Sequence, residues 1–253
     1  MKALILAAGR GSRLGKLSDN MPKGMLDFAG KPLIKHQIDA YRAEGINEII
    51  IVRGYQKESI CFEGIKYIDN DRYATTNMIE SIACARNLLD EDVIISYSDV
   101  LFSRSCLKQL MNNENSIAIT VDPNWKEYWI ERYSSSEIDI EELNIVNNKI
   151  IRIGQDRDNS VNLDYRYVGI NKFTKAGISS FLEIYDKKKK ENTAWSSSGK
   201  SFEQGYFTDI LQEMIDNDII LNANYIKNKW FEIDTESDLI VAREIYSKGR
   251  FKF

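Results

Sequence analysis

One histidine, His36, and three cysteines, Cys61, Cys84 and Cys106, are all that 253 residues hold of those two types. A lone histidine leaves no Ser-His-Asp or Cys-His apparatus, and its place on the predicted first helix, away from the strand ends, gives it a structural or solvated part. The cysteines are odd in number and lack C-x-x-C spacing, which argues against a disulfide framework or a zinc site and leaves small core residues in a reducing compartment. No apolar run approaches ~18 residues and no secretory apolar segment precedes the first predicted strand, so a soluble cytoplasmic chain without a membrane span is expected. The net charge of −4 lacks the basic excess of a bulk nucleic-acid binder, so no nucleic-acid partner is expected. No internal repeat is visible. The length suits one large α/β domain, and residues 1–253 are read as a single domain.

What is present is concentrated near the N-terminus. The apolar run Ala3 to Ala8 reads as a buried strand that opens into Gly9-Arg10-Gly11-Ser12-Arg13-Leu14, a loop whose backbone N–H groups can face an anion. A dinucleotide fingerprint fails at its third glycine, where Leu14 stands. A Walker loop also fails, because Gly24 and Gly30-Lys31 enclose five residues and Pro32 follows where a hydroxyl is needed. G-x-G-x-R and a separate Pro22-Lys23 remain.

Further along, the pattern predicts a helix over Lys31 to Glu44, a strand over Glu48 to Val52 ending near Gly54, and a strand over Lys66 to Ile68. A helix over Asn77 to Leu89 and a strand over Asp92 to Ser96 follow, with Asp99 just beyond. This alternation implies βαβ units, and a site outside the carboxyl ends of the strands. After Val121 the pattern changes: Tyr128 to Ser134 and Glu142 to Ile153 are strand-like, with Asn147-Asn148 as a tight turn. An antiparallel insertion lying over the sheet, about 122–165, is therefore expected. Then come a strand over Arg166 to Phe173, a helix over Lys175 to Lys187, a solvated lysine run to Lys190, and a mobile polar loop over Thr193 to Ser201. A helix over Gly205 to Asn217, two short strands within 219–233 and a helix over Glu236 to Tyr246 complete the chain. The fold class is α/β, Rossmann-like, a three-layer α/β/α arrangement on a mainly parallel sheet with an antiparallel β insertion.

The glycine loop and Pro22-Lys23 together resemble the signature of nucleotidyltransferases that activate sugar phosphates and alcohol phosphates. That resemblance covers nearly the whole chain, most strongly residues 1–102 and 230–238. It implies that Leu6, Ala7, Ala8, Gly9, Gly11, Ser12, Arg13 and Lys23 hold the nucleotide, and that Arg13 and Lys23 act catalytically by neutralising its phosphates. It implies that Asp99 and Asp234 bind Mg2+, a hard cation that suits carboxylate oxygen. Gly54, Asn77 and Ser81 fall where the family meets base and ribose, and Asn77 and Ser81 share one helix face. Their N-x-x-x-S pairing resembles the branch that uses CTP, including choline-phosphate and phosphonate cytidylyltransferases. The reaction implied is transfer of CMP from CTP to a small phosphorylated acceptor, with pyrophosphate released.

Ser98-Asp99 departs from the Gly-Asp common in the sugar enzymes. Trp125, Tyr128, Trp129, Trp195 and Tyr206 could enclose a quaternary ammonium. They are interspersed with Lys126, Arg132, Glu203 and Asp209, a mixture that suits a zwitterion better, and Gly169 corresponds to the family's glycine near the acceptor. The short Asn- and Ile-rich chain is similar to cytidylyltransferases of capsular phosphoramidate assembly, which implies L-glutamine phosphate as acceptor. A choline-phosphate, phosphonate or sugar-1-phosphate enzyme and a catalytically silent nucleotide-binding domain stay open, as does a homodimer.

Overall fold

The first strand, β1 (Lys2–Ala7), is buried along its whole length, and its side chains divide between two cores. Ala3, Ile5 and Ala7 enter one cluster with Leu33, Ile34 and Leu107, while Leu4, Leu6 and Ala8 enter another with Ile82, Phe181 and Ile210. Apolar residues at every position from Ala3 to Ala7, with side chains alternating by period two, are what a strand covered on both faces requires. The computed structural model describes residues 1–154 and 164–253; residues 155–163, part of the expected insertion, lie outside the described residues.

A short hairpin, β2 (Asp27–Phe28) and β3 (Lys31–Pro32), leads into α1 (Leu33–Ala43), β4 (Ile49–Arg53) and β5 (Lys66–Asp69). Then follow α2 (Met78–Cys84), β6 (Val93–Tyr97), β7 (Val100–Phe102), α3 (Arg104–Met111), β8 (Ile117–Asp122) and α4 (Trp125–Tyr133). The rest is β9 (Glu142–Val146), β10 (Lys149–Gly154), β11 (Arg166–Phe173), α5 (Lys175–Glu191), α6 (Phe207–Asp216), β12 (Leu221–Tyr225), β13 (Trp230–Glu232) and α7 (Glu236–Ser247). The main sheet has the order β5-β4-β1-β6-β11-β8-β12-β10-β9, and β13 pairs with β7 beside it. Helices α1, α3, α4 and α7 cover one face, and α2, α5 and α6 the other, which is the expected three-layer Rossmann-like α/β/α fold. Strands β4, β1 and β6 are parallel and end side by side, Ala7 against Arg53 and Leu6 against Tyr97. The loop from Gly9, Gly54 and Ser98-Asp99 therefore share one edge of the sheet, outside its carboxyl ends.

Five local expectations change. Tyr128 to Ser134 is not a strand: Trp125, Tyr128, Trp129 and Arg132, at helical spacing, are the buried face of α4, so period outweighs the β preference of the aromatics. The hairpin β9–β10 does not lie over the sheet but extends it in plane, Ile150 pairing with Leu221 of β12 and so covering an open edge. Its turn is the expected Asn147-Asn148, both at positive φ (50° and 66°). The stretch Thr193 to Ser201 is anchored by the buried Trp195, whose indole N–H donates to the Phe202 carbonyl at 2.9 Å while the two rings stack at 6.0 Å. In the lysine run, Lys188 is buried near Glu213 while its neighbours are solvated. Of the three cysteines only Cys106 is buried; Cys61 and Cys84 are exposed. Among the described residues no helix is long and apolar enough to cross a membrane.

His36 has a structural part. Its Nε2 donates to the Phe28 carbonyl at 2.7 Å, and its ring stacks on Phe253 at 4.0 Å between centroids. Burial holds its pKa below the ordinary value, nearby Lys31 acts in the same direction, and the Phe28 hydrogen bond only partly offsets them. On acidification the unfolded chain takes up this proton first, so stability is lost as pH falls from about 6.5 through the lower folded value. His36→Gln should flatten that segment of the curve, as measured by urea denaturation between about pH 5 and 8. An unchanged slope would remove His36 from the acid response.

Candidate active site

Gly11 shows why the loop has this sequence. Its φ of +74° disfavours any side chain, and a Cβ there would lie 2.8 Å from Cβ of Lys23. The close approach seats the glycine loop directly over the Pro22-Lys23 segment. Ser18 Oγ donates to the Gly11 carbonyl at 2.9 Å and ties the loop to its following 3-10 turn, Ser12–Ser18. Gly24 is equally tight, since a Cβ would meet Ile34 at 2.5 Å and Ser98 at 2.9 Å. Lys23 is thereby placed against the ends of β1 and β6.

The Lys23 ammonium bridges two carboxylates. It donates to Asp99 Oδ2 at 2.5 Å and to Asp234 Oδ1, joining residues 135 positions apart. Burial opposes its charge, but Asp99 and Asp234 more than offset this and hold its pKa above the ordinary lysine value. Asp234 also receives Arg13 at 3.1 Å and Arg132 at 3.1 Å. Burial works against its ionisation, yet Lys23 first, then Arg13 and Arg132, keep its carboxyl below the usual range. Thr235 and Asp238 cap α7 reciprocally, and the Asp234 N–H donates to Asp238 Oδ2 at 2.9 Å, which fixes the backbone carrying Asp234.

Oxygen ligands for a metal are plentiful at this place. Carboxylate oxygens of Asp139, Glu232 and Asp234 lie within 4.8 Å of one another. Asp99 Oδ1 is buried without a hydrogen-bond partner, as a carboxylate oxygen awaiting a cation would be. An all-oxygen donor set suits a hard divalent ion. Burial and the neighbouring Asp234 push the Glu232 carboxyl up to about 7.

Two cavities meet here. The first, about 210 Å³, is lined by Leu6, Ala8, Gly9, Gly11, Lys23, Asn77 and Ser81 among others. The second, about 500 Å³, includes Ser12, Gly169, Arg166, Glu232 and Asp234. Arg13, Met78, Tyr97 and Asp99 line both. Asn77 caps α2, its side chain accepting from the Met78 N–H at 2.9 Å, and Ser81 Oγ accepts from Asn70 at 3.1 Å. Both residues face the first cavity. Gly54 packs against its wall instead of lining it: a Cβ would come within 2.6 Å of the Ala8 carbonyl and of Tyr73. Ala7 is buried in the sheet, and Ser12 turns to the second cavity. Gly169, at φ +76° in a bulge of β11, admits the Tyr97 ring, whose Cδ2 would be 2.7 Å from a Cβ.

Four residues expected at the acceptor are elsewhere. Lys126 is exposed on the outer face of α4. Glu203 is exposed and paired with Arg72. Asp209 is buried at the start of α6, accepting from Ser198 and from the Tyr206 N–H at 2.8 Å in a capping box. Arg132 is fully buried behind the site and donates to Asp238, Glu232 and Asp234 at 2.7 to 3.1 Å. Arg132→Met should therefore destabilise the fold by about 3–5 kcal/mol in urea denaturation, since it strands buried carboxylates. A loss under about 1 kcal/mol would show that they relax into solvent.

Sequence reasoning missed Asp139, Glu141, Glu232 and Arg166. Glu232 had a signal, standing two positions before Asp234 in an extended segment and hence on the same side. Arg166 opens β11, which runs against β6 and β8, so its N-terminal end reaches the site edge. That direction is not readable from the strand's own residues.

Residues 3–138 match the family model of the MobA-like NTP transferase domain. Over 96% of its length the chain is 33% identical to the whole of a CTP:phosphoglutamine cytidylyltransferase from Campylobacter jejuni. A choline-phosphate cytidylyltransferase of Streptococcus pneumoniae is 39% identical over 40% of this chain and 46% of its own length. Two solved structures share the fold. The CTP:phosphocholine cytidylyltransferase of S. pneumoniae aligns with a TM-score of 0.76 at 22% identity, covering 97% of this chain and 98% of that one. The inositol-1-phosphate CTP transferase of T. maritima aligns at 0.74 and 23%, covering 98% and 95%. With its glycine loop, its Pro22-Lys23 segment and this full-length kinship, the chain belongs to the MobA-like NTP transferase family and is a nucleotidyltransferase.

Proposed function

We propose that this single-domain chain is a cytoplasmic, magnesium-dependent cytidylyltransferase that moves CMP from CTP to a small phosphorylated acceptor, with L-glutamine phosphate as the acceptor. The observation that carries the reading is the meeting of two cavities at Arg13 and Asp99, with Lys23 lining the first of them. Such a junction lets two substrates face each other across one centre of charge. The likeness to the C. jejuni enzyme over the full length supports CTP and the acceptor.

An acceptor phosphate oxygen attacks the α-phosphorus of CTP; the new P–O bond forms as the bond to the β-phosphate oxygen breaks, and pyrophosphate leaves. The acceptor is already an anion, so no strong base is needed, in keeping with the absence of a histidine at the site. The glycine loop seats the triphosphate, Lys23 and Arg13 stabilise charge on the departing phosphates, and Asn77 and Ser81 sit where base and ribose would be read. Asp99 and Asp234, with Asp139 and Glu232 beside them, would hold magnesium, which supplies charge neutralisation of the triphosphate when bound.

The test is pyrophosphate release for CTP, UTP, dTTP, ATP and GTP against phosphoglutamine, choline phosphate, 2-aminoethylphosphonate and glucose 1-phosphate. CTP with phosphoglutamine should give the largest kcat/KM. Preference for UTP or dTTP by more than about tenfold would overturn the cytidylyl assignment.

A further inference from the structure

Two arginines flank the Trp129 ring, and their surroundings treat them differently. The Arg132 guanidinium lies 4.6 Å from the ring centroid and its donors are taken by three carboxylates. The Arg166 guanidinium lies 4.2 Å from the same ring and is nearly as buried, its side chain 6% exposed against 0%. Among the described residues its one close bond is from NH1 to the Asp139 carbonyl at 2.5 Å. The carboxylates of Asp139, Glu141 and Glu232 stand off from NH2 at 3.6, 3.9 and 4.0 Å, and Nε is buried with no partner. A guanidinium presents five donors in a fixed fork, and a buried donor left unmade is costly. Arg132 is saturated by the fold. Arg166, which lines the larger cavity, is not.

We infer that Arg166 determines specificity by binding a carboxylate of the acceptor, so that the acceptor class is a phosphorylated amino acid in its zwitterionic form. A planar carboxylate matches the guanidinium fork, and stacking on Trp129 holds the fork ready for it. The remaining lining suits the rest of such a molecule. Glu141, a carboxylate of the lining outside the group assigned to magnesium, offers negative charge to an ammonium, and Arg13 and Arg166 are the cations of the cavity among the described residues. An acceptor without a carboxylate would leave Arg166 undersaturated. An acceptor without an ammonium would give Glu141 no cation of its own. The inference rests on the cytidylyl-transfer reading above and names the residue that selects its acceptor.

The experiment compares kcat/KM, at saturating CTP and magnesium, for phosphoglutamine and for its analogue lacking the α-carboxylate, in wild type and in Arg166→Gln. The ratio of the two should fall by about 10²-fold or more in the variant. A ratio held within about threefold would make Arg166 a structural residue, because misfolding or a displaced wall lowers both substrates together. Should Arg166→Gln fail to fold in a thermal melt, Arg166→Lys keeps the charge without the fork and should still lower the ratio by about tenfold; an unchanged ratio there would overturn the inference. Wild type that prefers the analogue lacking the carboxylate would also overturn it while leaving cytidylyl transfer standing. Wild type that releases no pyrophosphate from CTP with any acceptor would overturn the underlying reading, and this one with it.

Discussion

Lys23→Ala should lower kcat/KM by roughly 10²- to 10³-fold or more, the scale on which losing one charge contact to a transition state acts. The same change should lower stability, for a separate reason. Lys23 is the cation between Asp99 and Asp234, and without it two carboxylates face each other at a largely buried place. The two effects separate experimentally. Lys23→Met keeps most of the stem that packs against Gly11 but removes the charge, and the assay is run well below the midpoint that a thermal melt gives for each variant. If both variants are folded at the assay temperature and retain activity within a few-fold of wild type, Lys23 serves only to neutralise the aspartates. Because Asp99 and Asp234 hold the Lys23 pKa above the ordinary lysine value, the wild-type pH profile should show no fall from Lys23 deprotonation below about pH 10.

The parts of this molecule that are legible in its sequence are those where one short segment does one job. A strand apolar throughout Ala3–Ala7 must be covered on both faces, and a glycine at positive φ pressed against the Lys23 stem, Gly11, marks its own loop. Asp99 is legible as the residue just past a buried strand. What is not legible depends on pairs distant in sequence. Arg132 reads as a cation amid aromatics, and its saturation by Asp238, Glu232 and Asp234 appears only when α4 meets α7 and β13. Asp209 reads as a free acid near a substrate loop, whereas its oxygens are taken by Ser198 and Tyr206 at a helix start. Charged residues stand among aromatics in the sequence at Lys126 and Arg132, but the fold places the cavity-lining Asp139, Glu141 and Arg166 on a loop and on a strand of opposite direction. The antiparallel hairpin was legible from Asn147-Asn148, but the edge it joins is set by β12, some seventy residues later.

Asp99→Asn and Asp234→Asn should each weaken magnesium-dependent turnover without unfolding the chain, since an amide keeps the shape of a carboxylate and removes its charge. The losses should differ. Asp234 also holds Arg13 and Arg132, so its replacement disturbs three cations where that of Asp99 disturbs one. The double variant decides between two causes of coupling. Lys23 joins the aspartates in the protein alone, so their thermal-stability losses should be non-additive with no metal present. A shared magnesium ion predicts, in addition, non-additive losses of kcat/KM and an apparent magnesium affinity weakened by either single change and little further by both. Coupling in the melts with additive losses in turnover would assign the pair to positioning Lys23 and place magnesium elsewhere. Asp139 and Glu232 would then be the carboxylates to replace next, because among the described residues they share the 4.8 Å cluster with Asp234, and Lys23 bonds to Asp99 and Asp234 instead.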